Sequence, residues 1–217
     1  HAKARQIARI PRLSVATDRS RVIRWQLPDK CREAAGAIGE SFVSDDIEDY
    51  DVDPFELGYG FHVGWKKSDF IGKDAIVSMK DAPTNRKKVT FEWNREDVLN
   101  VIASVVEGRT PYKWIDFPML NYPSSSADML LQDDEMVGMN MFTSFGWNER
   151  CVLSLVVVDQ DIEVGDVLTL KWGEPEPMKM TSTEAHRQAD IRVRASPCPF
   201  ANEARENYAE SWRTRWA

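Results

Sequence analysis

The nine residues CVLSLVVVD, Cys151–Asp159, constrain this chain more than any other stretch. An almost continuous apolar run of that length reads as a strand buried on both faces. Its neighbours alternate instead. Val89, Phe91 and Trp93 are interleaved with Lys88, Thr90 and Glu92, and Ile191 and Val193 with Arg192 and Arg194. Leu168, Leu170 and Trp172 come after a turn at Val164–Asp166. Alternation with period two puts each apolar set on one face of a strand. Several short strands at near-regular spacing predict a small closed barrel. One helix interrupts them. Asn94 reads as its N-cap, and Val98, Leu99, Val101, Ile102, Val105 and Val106 recur at helical spacing. Gly108 supplies a stop.

The polar stretch KDAPTNRK at 80–87 is the best domain boundary, dividing the chain into 1–81 and 82–217. Before it the signals are weaker. Residues 22–27, VIRWQL, suit a short strand or a helical turn, and a short helix fits Lys30–Ile38. Phe61, Val63 and Trp65 alternate as in a strand. A second short helix is expected around Lys73–Met79, capped by Ser68 or Asp69 and stopped by Pro83. The end of the chain, NEARENYAESWRTRWA, reads as a surface helix.

Composition narrows the function classes. A net charge of −7 argues against a general nucleic-acid binder. No apolar run approaches the roughly 20 residues of a membrane span, and a cytoplasmic setting is expected. Cys31, Cys151 and Cys198 are far apart and in no CxxC pair, which fits free buried thiols in a reducing compartment. His1, His62 and His186 are equally scattered, so no metal site is expected.

Seven of the twelve residues from Asp45 to Glu56 are acidic. Asp49, Asp51 and Asp53 have the first spacings of a calcium loop, but Pro54 stands where that loop needs its glycine and Gly60 where it needs its glutamate. Paired carboxylates for acid/base work are a second reading. A solvated polar loop is the favoured one, since carboxylates are rarely buried unpaired. Gly58 and Gly60 read as turn or close-packing positions, because no phosphate-loop pattern surrounds them. No catalytic residue emerges from residue chemistry alone.

Taken together with residues 57–75, the acidic stretch resembles the glycine-cleavage T-protein pattern, an acidic segment leading to Pro-x-Glu, a Gly turn and a "DFIGR-A-L" segment. Asp46, Ile47, Pro54, Glu56, Gly58, Asp69, Phe70, Ile71, Gly72 and Ala75 carry that resemblance. MVGMNMFTSFGWNERCVLSLVVVD, IEVGDVLTLKWGE and IRVRASPCPF are similar to later pieces of the same superfamily, in the same order. GESFVSDDIEDY, TPYKWIDFPMLNYPSS and NERCVLSLVVVD resemble its tetrahydrofolate-dependent aryl-ether O-demethylase branch, which acts on vanillate, syringate or 3-O-methylgallate.

The resemblance implies an α+β fold, in which residues 1–81 are the remnant of a central folate-binding-type domain and residues 82–217 an antiparallel β-barrel. It implies tetrahydrofolate as cofactor, a small aromatic methyl ether as substrate, and an N-terminal polypeptide that completes the pocket. Methyl transfer from an aryl ether demands alignment with N5 of the folate and help for the departing oxygen, not a nucleophilic side chain. Ser41 is the candidate donor to a substrate carboxylate, with a turn or cap hydroxyl as its other reading. Arg9 is the candidate partner of a folate glutamate tail. Where the demethylases carry a Tyr and a Trp, this chain reads KARQIARIP, with Arg5 or Gln6 and Arg9 in those places. A glycine-cleavage-type aminomethyltransferase, a folate-binding module without chemistry and a structural barrel partner are the alternatives.

Overall fold

A computed structural model describes residues 41–44, 47–50, 52–81, 85–115, 127–175 and 184–207. Six strands form a closed barrel: β1 (Arg86–Trp93), β2 (Asp128–Gln132), β3 (Glu135–Gly146), β4 (Cys151–Asp159), β5 (Val167–Trp172) and β6 (Ala189–Ser196). Their order around the wall is β1-β4-β3-β2-β5-β6, and every pairing is antiparallel. Closure leaves no unpaired edge among these strands. Asp133 and Asp134, both at positive φ, make the tight β2–β3 turn.

The alternation in the sequence points the right way. Val89, Phe91 and Trp93 of β1, Leu168, Leu170 and Trp172 of β5, and Ile191 and Val193 of β6 all enter one buried core. Trp93 and Trp172 meet edge-on at 5.3 Å between ring centroids. Each such side chain contributes roughly 1.5–3 kcal/mol on burial, which is what holds the wall shut. β4 differs from expectation. It lies between β1 and β3, yet only one of its faces is covered throughout, and Leu155 on the other is exposed.

Helix α1 (Lys73–Asp81) and helix α2 (Arg95–Ala103) form where the sequence places them, but Gly72, not Ser68 or Asp69, immediately precedes α1, and those two lie too far upstream to cap it. Asn94 caps α2, its side chain accepting from the Glu96 and Asp97 amides. A 3-10 turn at Ser104–Val106 comes next, and Gly108 sits at φ 72°. The apolar spacing of α2 is wider than its buried face. Val101 is its one buried residue, whereas Leu99 and Ile102 are exposed.

Among the described residues of 41–81 there is no strand. Phe61, Val63 and Trp65 do not form one: Gly60–His62 is a 3-10 turn, Phe61 is exposed, and the Trp65 indole donates back to the Gly60 carbonyl at 3.2 Å. Alternation makes a strand only when a neighbouring strand takes up its hydrogen bonds, and no strand among the described residues pairs with this segment. Gly58, at φ 70°, is a turn glycine, as its position suggests. Cys151 and Cys198 are free but half-buried rather than buried. The segments 22–27 and 30–38, Cys31, Pro83 and the chain beyond 207 lie outside the described residues; within the tail, Glu203–Asn207 forms one π-helical turn.

Candidate functional site

The acidic segment is clasped to the barrel. Tyr50 is buried, its ring edge-on to Phe42 at 4.8 Å, and its hydroxyl accepts from the Ser44 amide at 2.9 Å. The Ser44 hydroxyl donates to Asp49. Asp53 Oδ1 accepts from the Phe55 and Glu56 amides at 2.7 and 2.8 Å, and Glu56 Oε2 accepts from the Asp53 amide at 2.8 Å. That reciprocal pair is a capping box, written in the sequence as Asp-x-x-Glu. Glu56 is not solvated. It is 1% exposed, and its other oxygen accepts from Arg86 Nε at 2.6 Å, tying the segment to the start of β1. Asp45, Asp46 and Asp51 lie outside the described residues. Among the described residues no three His, Cys, Asp or Glu converge to hold a metal ion, and no helix is long and apolar enough to cross a membrane.

Ser41 sits where this segment meets the barrel wall. It is 2% exposed, and its hydroxyl oxygen accepts from the Met129 amide of β2 at 2.8 Å. Its own amide faces Asp128 Oδ1 at 3.4 Å, and the Asn140 side-chain amide donates to Asp128 Oδ2 at 3.2 Å and to Thr143 Oγ1 at 3.0 Å. Asp128, Asn140 and Thr143 are all fully buried.

Residues three apart on a strand face opposite sides. Asn140 and Thr143 share a side because β3 is irregular between Asn140 and Phe142: Asn140 opposes Val156, Phe142 opposes Leu155 and Thr143 opposes Ser154. Met141 is the extra residue of a bulge, which brings both polar groups to the core side. The cluster is unsaturated. Among the described residues Asn140 Oδ1 is buried with no hydrogen-bond partner, and the Ser41 hydroxyl, having accepted one bond, still has a proton to give. Such an arrangement leaves one acceptor and one donor for a further polar group, and among the described residues it contains no nucleophile–base pair.

A second polar group lies where β5 ends. Glu174 is buried, 2.8 Å from Lys113 Nζ and 3.2 Å from His186 Nε2. His186 Nδ1 meets the Glu184 carbonyl at 2.8 Å, and since a carbonyl only accepts, that nitrogen carries a hydrogen. Burial opposes the charge on Glu174, but the Lys113 ammonium, helped by a backbone hydrogen bond and the His186 ring, holds the carboxyl below its usual range. Gly173, at φ 99°, allows this approach: a Cβ there would lie 3.1 Å from the His186 ring. Lys113, Glu174 and His186 come from distant positions, and only the fold reveals them. Arg9 lies outside the described residues.

No protein-family model matches the chain. It is 34% identical to syringate O-demethylase of Sphingobium sp. over 83% of its own length and 39% of that protein. To sesamin methylene transferase of Sinomonas sp. it is 31% identical, over 82% of its length and 38% of that protein. An aminomethyltransferase of Alkaliphilus oremlandii matches 23% of the chain at 44% identity. The chain belongs to the aminomethyltransferase (glycine-cleavage T-protein) superfamily. It spans about two fifths of the length of the first two of these relatives. Among solved structures, aminomethyltransferase T from Bartonella henselae superposes on this superfamily member with a TM-score of 0.43 and 14% identity, over 70% of this chain and 32% of that one, too loosely to add to the assignment.

Proposed function

We propose that this chain is the barrel-bearing portion of a tetrahydrofolate-dependent O-demethylase, which moves the methyl group of an aryl methyl ether such as syringate or vanillate to the folate. The observation that carries this reading is the 34% identity to syringate O-demethylase across 83% of the chain. An N-terminal polypeptide would supply the rest of the pocket, and Arg9 would pair with the folate glutamate tail. When bound, the folate supplies N5 as the methyl acceptor.

The described residues fit such a reaction by positioning. Ser41 keeps one proton to donate to a substrate carboxylate, and Asn140 Oδ1 offers an acceptor to an N–H or O–H group. The bulge at Met141 and the Asp128 carboxylate fix both in place. Rigid placement is the main contribution a protein makes to an alignment-limited transfer, worth up to about 7–11 kcal/mol of barrier.

The test is turnover of syringate with tetrahydrofolate, by the chain alone and by the chain joined to the N-terminal polypeptide. Alone it should be inactive, and together active. In the active complex Ser41→Ala should weaken syringate binding by about 1–3 kcal/mol while leaving tetrahydrofolate binding unchanged. Transfer from an aminomethyl donor in place of the aryl ether would favour the aminomethyltransferase reading, which the shorter match to the Alkaliphilus enzyme supports.

A further inference from the structure

One end of the barrel carries an open groove of about 1180 Å³, which shares no lining residue with the Ser41 cluster and is unused by the chemistry above. Its floor is apolar. Phe145 and Trp147 of the β3–β4 hairpin, Val152 of β4 and Val193 of β6 face Leu99 and Ile102 of α2 across it. Trp147 is 80% exposed and Leu99 56%, and the Phe145 and Trp147 rings meet edge-on at 5.0 Å. Val105 and Val106, in the turn after α2, are exposed as well. A contiguous patch of this kind marks a contact surface, whereas isolated exposed apolar residues do not.

Its charge is the second observation. Four arginines line the groove, Arg95, Arg150, Arg192 and Arg194, against one carboxylate, Glu92. Arg192 is taken by Asp97, with Nε and Nη2 both bonded to its carboxylate at 2.9 Å. Arg95, Arg150 and Arg194 have no ion pair among the described residues. In a chain of net charge −7, three guanidinium groups without a described carboxylate partner around one apolar mouth, Arg194 donating only to the Gly165 carbonyl at 3.4 Å, are complementary to an anionic occupant. Exposed Trp and Arg are also the residues that dominate binding energy at protein interfaces.

We propose that this groove docks an acidic amphipathic helix of a partner protein. Its apolar face would lie between α2 and the β3–β4 hairpin, and its flanking carboxylates would meet Arg95, Arg150 and Arg194. The patch favours a polypeptide over a small molecule. A small-molecule site encloses most of its ligand, whereas the groove here is open and its rim side chains, Trp147 on the β3–β4 hairpin and Leu99 on α2, stand exposed. A helix in a groove is read through apolar anchors at i, i+3, i+4 and i+7, a spacing that such a surface can meet.

The probe is a synthetic helix with Leu at i, i+3, i+4 and i+7 and Glu on both flanks, beside a counterpart with Lys on the flanks. Binding to the full chain is followed by anisotropy of a label on the peptide. The Trp emission change is compared between the parent chain and Trp147→Phe. The Glu peptide should bind with a Kd of micromolar order that weakens as salt is added, because the guanidinium contacts are exposed. Leu99→Glu should weaken it at least about tenfold, since a buried carboxylate would replace an anchor. Arg95→Glu with Arg150→Glu should transfer the preference to the Lys peptide, and all these positions are on the surface, so folding should be unchanged. Equal binding of the two peptides, no binding of either, or indifference to these substitutions would overturn the proposal. Self-association abolished by Leu99→Glu would overturn it in favour of a second copy of the chain. Benzoate displacing the Glu peptide at lower concentration than unlabelled peptide does would overturn it in favour of a small-molecule site.

Discussion

The barrel, 86–196, and the segment before it, 41–81, are held by different physics. In the barrel each strand pairs on both sides and sends its apolar residues into one core. In the preceding segment Tyr50 is the buried hydrophobic residue among those described, and α1 buries nothing. What fixes that segment is a set of polar clasps: Glu56 on Arg86, Ser41 on Met129, Tyr50 on Ser44. The wall is therefore cooperative, whereas the segment is attached at points. The two should fail in different ways.

The largest effect belongs to the barrel. Leu170 is completely buried and lies opposite Leu130 and Ile191 in the wall. Leu170→Ala should cost about 2–5 kcal/mol and lower the whole unfolding transition in urea, since the cavity cannot close where both neighbours are hydrogen-bonded. Glu56→Ala should cost less, about 1–3 kcal/mol for stranding the Asp53 amide and losing the tie to Arg86. Its signature is locality: hydrogen exchange should rise in 41–56 while β4 keeps its protection. Loss of β4 protection in that variant would erase the distinction between the two regions.

The smallest effect is at the barrel surface. The hydrogen bond from Arg192 holds the Asp97 carboxyl below its usual range, although burial opposes the charge. A depressed carboxyl stabilises the fold above its unfolded value of about 4, and that stability disappears as pH falls through the lowered folded value. Asp97→Asn should therefore lower Tm slightly at neutral pH, the effect being small because Arg192 is exposed, leave Tm at acid pH little changed, and so flatten the acid limb of a Tm-against-pH curve. An acid limb as steep as the parent's would show that Asp97 is not its source.

Period and caps make the barrel legible in the sequence alone. Each inward residue of β1, β5 and β6 follows from alternation, and Asn94 announces α2. The same rule misleads at Phe61, Val63 and Trp65, because it reports side-chain pattern and says nothing of whether a partner strand is present. It overstates β4 and α2 for a related reason: apolar residues need not be covered, as Leu155, Leu99 and Ile102 are not. The Ser41 cluster is half legible. Ser41 stands out by motif, but Asn140 and Thr143 fall at a spacing that a regular strand would separate, and one inserted residue brings them together. Glu56 has a local signal, Asp-x-x-Glu, hidden in a run of other acids.

Closure of the barrel also has a consequence for how the chain is made. The first strand finds one of its two wall neighbours in the last: Thr90 lies opposite Ser196 and Trp93 opposite Val193. Synthesis delivers β1 early and its partner late, at about 5–20 residues per second. Until β6 leaves the ribosome, β1 and β5 each present an open edge that the finished molecule hides. Long-range pairing of this kind is also slow to form, because the loop must be closed before contact rewards it. The nascent protein is thus most exposed to misassembly in the interval between translation of Trp172 and of Ser196, when five sixths of the wall exists without the strand that seals it.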